Sequence, residues 1–303
     1  MSRQGTGSRT GRQIGRRAAV ALAISFGAVT AVTSRVALAQ KTPRIVSVGS
    51  SLTEIFYALG AEGLLVGVDS TSLYPPAARS LPQVGYMRAL AAEGVLALKP
   101  TLIMATTAAG PATTLDQLRS TGIEVMVLPD RYDYESVVEK IEAVGKVTGK
   151  TAEAASLIAE GRREMAALKA RLASATSKPR VLFLLSMSGG APQAAGRGTA
   201  ADGIIQLAGG VNAIDGYAGY RPLTPEAVIA SRADFVLMPR QSVEAMGGVQ
   251  AVLDQPALNR TPAGRNGKVL QFDVLLLLGF GPRTPQAATE LAAALHPELA
   301  RAK

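Results

Sequence analysis

The sequence predicts an α/β protein made of two doubly wound α/β lobes joined by a single long backbone helix. Short apolar strands alternate with helices from residue 44 to residue 128, the pattern of a parallel sheet covered by helices. Apolar residues then recur at helical spacing over 134–147 and 152–172, and the alternation resumes after residue 178. The expected organisation is an N-terminal lobe over 40–148, a connecting long helix over 149–177 and a C-terminal lobe over 178–303.

The N-terminal lobe is predicted from apolar runs that end at breaking residues. Ser51 or Thr53 can cap the first helix, and Gly60 ends it. Pro100 and Gly122 end later helices in the same way. The predicted strands are 44–48, 64–68, 102–105 and 125–128, and the predicted helices are 54–59, 91–98 and 115–120.

The connecting helix and the C-terminal lobe follow from the same reasoning. Leu157, Ile158, Met165, Leu168 and Leu172 fit one face of a helix. The predicted strands beyond it are 181–185, 235–238 and 269–272, and the predicted helices are 201–208, 225–230 and 285–295. A stiff clamp is therefore expected, with ligands bound at the carboxyl ends of the strands.

The first 39 residues have the features of a signal peptide. A basic segment is followed by a short apolar run over 18–32, and the sequence Ala37-Leu38-Ala39 gives a cleavage site before Gln40. Either the general or the twin-arginine export route is compatible with this segment. Because the chain has no cysteine for a lipid anchor, the mature protein is expected to be soluble in the periplasm. Removal of the signal peptide takes away six basic residues and no acidic one, so the formal net charge falls from +9 to +3. A charge this small does not favour a nucleic-acid partner.

The residues available for ligand chemistry are restricted. With no cysteine and one histidine, the usual ligands of soft metals are scarce. Tyr74 lies in the proline-braced segment 69–78, and a phenolate oxygen suits ferric iron, including haem iron. The other interpretation is a turn with a half-buried tyrosine. His296, next to the C-terminus, is predicted to be a surface residue.

Charged residues supply further candidates. Arg88 and Arg221 could favour a phenolate or pair with ligand carboxylates, and Arg283 is a weaker candidate for the same role. Each could equally be a solvated surface cation. Glu93 and Glu226 occupy first helical turns, where an acid also stabilises the helix dipole.

Several segments together resemble one family: TSLYPPAA, VGYMRALAAEGVLALKPTLIM, LDQLRSTGIEV, GRGTAADGIIQLAGGVNAI and YRPLTPEAVIASRADFVL. They are similar to the periplasmic haem-binding proteins of bacterial haem ABC importers, in the helical-backbone class that also binds cobalamin and siderophores. The resemblance spans essentially the whole mature chain.

The resemblance implies haem b as a transported ligand, bound in the cleft between the lobes. Tyr74 would be the axial iron ligand, with Arg88 and Arg221 as haem-binding cations, and Glu93 and Glu226 would dock on the permease. The implied partners are haem, an inner-membrane ABC permease with its ATPase, and an outer-membrane haem receptor system upstream. A monomer is expected. Because the only histidine is His296, five-coordinate haem with a single tyrosine ligand is expected.

Two alternatives remain open. The same fold could bind a ferric siderophore or a corrinoid, in which case Tyr74 would be a packing residue. An exported haem enzyme would need a distal catalytic base, and the sequence offers no histidine for a cleft. Nor does it contain a GxSxG, HExxH or CxxC motif, so enzymatic activity is not expected.

Overall fold

The computed structural model describes residues 42–187 and 191–300. The predicted signal peptide, residues 1–39, lies outside this part of the chain. Within the described residues, no helix combines the length and the apolar character needed to cross a membrane.

The N-terminal lobe contains a four-stranded parallel sheet. Its elements are β1 Ile45–Val48, α1 Ser50–Ala58, β2 Leu65–Val68, α2 Ala92–Leu96, β3 Leu102–Thr106, α3 Ala112–Ser120 and β4 Glu124–Leu128. The strand order is β2-β1-β3-β4, and each neighbouring pair is parallel. Every residue of the central strands β1 and β3 is buried, as expected for a sheet covered on both faces.

The start of α1 differs from the prediction that Ser51 or Thr53 caps it. Gly49 is the N-cap residue, and no side chain caps the helix. Thr53 Oγ1 instead exchanges hydrogen bonds with Ser47 Oγ at 2.9 Å and Ser72 Oγ at 2.7 Å. The hydroxyl is used to join the helix to β1 and to the loop after β2.

Two consecutive helices lead from the first lobe to the second. Helix α4 spans Tyr134–Thr148 and α5 spans Thr151–Leu172. Gly149 adopts φ 73° and ends α4, a left-handed conformation that favours glycine. Gly161 of α5 is a close-packing position, because a Cβ there would overlap Tyr134 Oη. The 22-residue α5 occupies the region predicted for the connecting helix.

The C-terminal lobe contains a mixed sheet. Its strands are β5 Arg180–Ser186, β6 Gln193–Ala195, β7 Val211–Asn212, β8 Tyr220–Pro222, β9 Phe235–Pro239 and β10 Val269–Phe272. Strands β5, β9 and β10 pair in parallel, as predicted. Strand β6 pairs antiparallel with both β5 and β8, and β7 pairs with β5. The antiparallel pairs were not expected from a doubly wound pattern, because strands of three residues are too short to show an alternation of apolar and polar residues in the sequence.

Eight helices accompany this second sheet in the described chain. They are α6 Ala200–Leu207, α7 Pro225–Ala230, α8 Arg240–Ala245, α9 Val249–Leu253, α10 Pro256–Asn259, α11 Pro262–Arg265, α12 Val274–Leu278 and α13 Thr284–Leu295. Helix α13 packs against α5 and α6. The last helix therefore returns to the connecting helix instead of extending away from it.

One hydrophobic core is shared between the lobes. It contains Phe56 of α1, Ile141 of α4, Ile158 of α5, Phe183 of β5 and Leu291 of α13. Apolar burial is the main favourable term in folding, so a common core resists separation of the lobes. The two lobes are therefore joined by packing as well as by α5.

The prediction that His296 lies on the surface is wrong. His296 is fully buried at the end of α13. Its Nδ1 lies 3.1 Å from Glu298 Oε1, and Nε2 has no hydrogen-bond partner among the described residues. A Cβ on Gly209 would approach Nε2 to 3.0 Å, so the turn after α6 covers the imidazole ring. The surface prediction was based on the position of His296 near the end of the sequence, which gives no information about the turn that covers it.

Candidate ligand site

The loop that carries Tyr74 begins at the carboxyl end of β2, where parallel sheets commonly bind ligands. Asp69, which is fully buried, anchors its first residues. The Oδ1 atom of Asp69 accepts hydrogen bonds from Gly49 N and Ser72 Oγ, both at 2.8 Å, and Oδ2 accepts one from Thr71 N at 2.9 Å. A buried carboxylate with several donors is a rigid fixing point. The loop is therefore tied to the start of α1.

Tyr74 is one of the few large exposed aromatic side chains, with 39% of its surface accessible. The chain after it forms a short 3-10 helix, Pro76–Ser80. Arg79 Nε donates to the carbonyl oxygen of Leu73 at 3.2 Å, which closes the loop on itself. The phenol is thus presented from a closed loop, with part of its surface covered.

Arg283 is the cation that the structure brings to Tyr74. Its Cζ lies 3.4 Å from the centroid of the Tyr74 ring, so the guanidinium stacks on the face of the phenol. Arg221, the stronger candidate from the sequence, lies instead 5.2 Å from the centroid of the Tyr217 ring and is exposed. The choice between the two arginines that the sequence left open is therefore decided geometrically in favour of Arg283 for this contact.

Glu54 holds Arg283 in place. Its Oε1 accepts from Arg283 Nε and its Oε2 from Arg283 Nη2, both at 2.8 Å, which makes a bidentate ion pair. Burial alone lowers the pKa of Arg283, but the hydrogen bond and charge of Glu54, with a smaller contribution from Tyr74, raise it above its usual value. The arginine is therefore a permanent cation. Sequence reasoning did not single out Glu54, because an acidic residue near the start of a helix has no distinctive pattern.

Arg88 lies in a different part of the site. It lines a cavity of about 150 Å³ between the lobes, together with residues of α1 and with Asp130, Tyr132 and Tyr220. Burial raises the pKa of Tyr220 to about 12 and also raises that of Tyr132, whereas the charge of Arg88 acts in the opposite direction on both. Arg88 is thus the cation of this cavity.

A buried ion pair supports the same cavity. Lys140 of α4 is fully buried, and its Nζ lies 2.9 Å from Asp130 Oδ1 and 3.4 Å from Ser51 Oγ. A buried ammonium is stable only when a partner compensates its charge. The amphipathic pattern of α4 does not reveal such a lysine, so sequence reasoning missed it.

Glu93 and Glu226 both lie exposed in the first turn of their helices, α2 and α7. Thr224 caps α7 by accepting from Ala227 N at 3.2 Å. The pKa of Glu226 is lowered by its own backbone N–H and by the Thr224 hydroxyl. Each acid is therefore available to a partner surface.

Comparison with known proteins places this geometry in context. A model of the periplasmic binding protein family matches residues 45–273. The solved structure of the periplasmic haem-binding protein BhuT in complex with two haems is 40% identical, with a TM-score of 0.80, over 85% of this chain and 99% of that one. The apo periplasmic haem-binding protein RhuT from Roseiflexus sp. RS-1 is 41% identical, with a TM-score of 0.79, over the same shares.

A relative with a different ligand also matches. The cobalamin-binding protein of Halobacterium salinarum is 28% identical over 269 residues, which cover 86% of this chain and 71% of that protein.

Proposed function

The chain belongs to the periplasmic binding protein family, and we propose that it captures ferric haem between its two lobes and delivers it to an inner-membrane ABC permease. The observation that carries the proposal is the exposed Tyr74 phenol with the Arg283 guanidinium on its ring. The haem-binding proteins of known structure at about 40% identity support it.

Tyr74 is the proposed axial ligand. Phenolate oxygen is an established donor to ferric haem iron. Since Arg283 occupies a face of the ring, the oxygen at the ring edge stays available to the iron.

The ligand is proposed to be haem b. Covalent attachment through thioether bonds requires cysteine, which the chain lacks, so a non-covalently held haem is the chemistry that fits. Arg88 in the cavity between the lobes and the exposed Arg221 are the cations proposed to pair with its two propionates.

Glu93 and Glu226 are proposed to dock on cationic residues of the permease, which acts with its ATPase. An upstream outer-membrane receptor system would supply the haem. The proposed mature protein is a soluble periplasmic monomer, released from a signal peptide over 1–39. Its lobes are assigned to 40–148 and 178–303, with 149–177 between them. The proposed role is transport, without a catalytic step.

A corrinoid is the second candidate, because the cobalamin-binding relative matches most of the chain. The two candidates differ in what they require of Tyr74. Haem needs the phenol oxygen as an iron ligand, whereas a corrinoid would use the tyrosine only as a contact surface.

The proposal is tested by titrating the protein from Gln40 onward with ferric haem, in parallel with Tyr74→Phe. The variant keeps the ring that Arg283 covers and removes only the oxygen. Saturable binding with a high-spin tyrosinate spectrum is expected, and Tyr74→Phe should lose that spectrum. Tyr57→Phe, which removes a phenol oxygen near the end of α1, is the matched control.

The outcomes separate the candidates. Haem binding with an unchanged spectrum in Tyr74→Phe would remove the tyrosine from the mechanism. Absence of saturable haem binding, together with binding of cobalamin, would replace haem by a corrinoid. Product formation from haem in the presence of a reductant would instead establish the enzyme alternative.

A further inference from the structure

Glu54 occupies an unusual position for a carboxylate. It lies on α1 beside the fully buried Leu52, Ile55 and Phe56, and only 8% of its own surface is exposed. Burying a carboxylate is costly unless its charge is compensated. Both oxygens of Glu54 are used by one partner, Arg283. The helix therefore carries a charge whose place in the structure depends on a single arginine.

The pairing fixes the orientation of the guanidinium. Nε and Nη2 lie on one edge of the planar group, and the two hydrogen bonds of 2.8 Å set the direction of that edge. With the edge held by Glu54, the flat face rests on the Tyr74 ring at 3.4 Å. An arginine without such a partner samples many rotamers.

The three side chains come from separate parts of the chain. Glu54 is in α1, Tyr74 is in the loop after β2, and Arg283 directly precedes α13. The loop before α13 is pressed onto α1, because a Cβ on Gly281 would lie 3.4 Å from Ser51 Cα and 3.6 Å from Glu54 Cδ. The Arg283 side chain thus lies between the Glu54 carboxylate and the Tyr74 ring and contacts both.

We propose that Glu54 is a positioning residue of the ligand site, which acts through Arg283 to keep the cation on the face of Tyr74. The proposal rests on the proposed function, since it assigns the purpose of this arrangement to tyrosine ligation of ferric haem. Glu54 itself need not touch the ligand.

Two possible roles of Glu54 predict opposite changes in ligand affinity when its carboxylate is removed. A positioning role predicts weaker ligand binding when the carboxylate is removed, because Arg283 leaves the ring. A purely electrostatic role predicts tighter binding in Glu54→Gln, because the negative charge that offsets Arg283 is lost while the cation stays.

The positioning itself can be measured without haem. Protons above the face of an aromatic ring are shifted upfield in NMR spectra, so the Nε proton of Arg283 should show such a shift. The signal is assigned by its loss in Arg283→Lys, and the shift should disappear in Tyr74→Ala. Because removal of the carboxylate also ends the hydrogen bond of this proton, the shift is measured in each Glu54 variant as the change that Tyr74→Ala produces in that background. We expect this change to vanish in Glu54→Ala and to be reduced in Glu54→Gln. A retained upfield shift in both Glu54 variants would overturn the proposal.

Haem titration supplies the functional readout. We expect Glu54→Ala and Arg283→Ala each to weaken haem binding about tenfold, a change within the range of a desolvated cation–π contact. The double variant should bind no more weakly than Arg283→Ala alone, because the two residues act as one unit. Wild-type or tighter binding in the single Glu54 variants, or additive losses, would contradict the proposal.

Glu139→Ala is the matched control. Glu139 also accepts two hydrogen bonds from one arginine, Arg131, at 3.1 and 2.6 Å, but this pair is exposed and lies outside the proposed ligand site. If haem binds to none of these proteins, the proposed function fails, and the NMR shift alone decides whether Glu54 positions Arg283. If Glu54→Ala does not fold, Glu54→Gln provides both measurements.

Discussion

Lys140, which is fully buried, forms an ion pair of 2.9 Å with Asp130, a residue that lines the cavity between the lobes. The pair therefore links the buried face of α4 to a residue that lines the cavity. Breaking such a pair leaves one charge with no compensation in a poorly solvated place.

We expect Lys140→Met to lower the free energy of unfolding by about 3 kcal/mol, because Asp130 loses its cation. Urea unfolding at neutral pH measures the change. Adding Asp130→Asn should recover part of the loss, since no isolated charge then remains. Lys150→Met, which removes an exposed lysine paired with Glu153, is the control and should have no measurable effect. An equally stable Lys140→Met would show that the pair contributes nothing.

Gly161→Ala should destabilise the contact between α4 and α5. The new methyl group would overlap Tyr134 Oη and lie 2.9 Å from Cζ, so the tyrosine ring or its helix must shift, at a cost of about 1–3 kcal/mol. The measurement is the midpoint of urea unfolding. Gly94→Ala is the control, because its methyl group would meet only Val84 O at 3.8 Å and alanine favours a helix. Tyr134→Phe should partly rescue Gly161→Ala, and failure of that rescue would locate the strain elsewhere.

The raised pKa of Tyr220 predicts that the protein loses stability at alkaline pH. Burial raises its pKa from 10.0 to about 12, so the unfolded chain releases the phenolic proton before the folded chain does. Between these values the folded state binds more protons, and its stability falls as the pH rises. The stabilisation is complete below about pH 10, and about 2 kcal/mol is lost by about pH 12.

The comparison of wild type with Tyr220→Phe isolates this effect. Tyr134, whose pKa is also raised to about 12, is present in both proteins and cancels. From pH 9 to pH 11 the free energy of unfolding of the wild type should therefore fall relative to that of Tyr220→Phe. A constant difference across that range would refute the assignment.

Glu93→Gln and Glu226→Gln should leave haem binding in solution unchanged and lower haem-dependent uptake by cells that carry the cognate permease. Both acids are exposed and neither lies among the residues proposed to hold haem. Glu153→Gln, another acid in a first helical turn, is the control. Full uptake by the double variant would remove these acids from docking.

The elements of the N-terminal lobe could be predicted because their signals are local. The apolar strand β3 follows Pro100, and glycine or proline ends most of the helices beside it. The short strands β6 and β8 could not be predicted, because three residues do not display a period and their pairing depends on the neighbouring β5.

The candidate ligand residue could be singled out from the sequence, whereas the residues that support it could not. Tyr74 could be identified from its proline-braced loop and the scarcity of other ligands. Its contact with Arg283 and the pairing of Arg283 with Glu54 depend on packing between distant segments, which leaves no local pattern. The same reason explains why Lys140 and His296, both buried through tertiary contacts, were missed.

Arg283 follows Glu54 by 229 residues along the chain. Contacts of this sequence separation carry a large loop-closure entropy, which slows folding. An N-terminal lobe that folded first would present Tyr74 without its cation. The complete set of Glu54, Tyr74 and Arg283 exists only once the segment before α13 has joined α1.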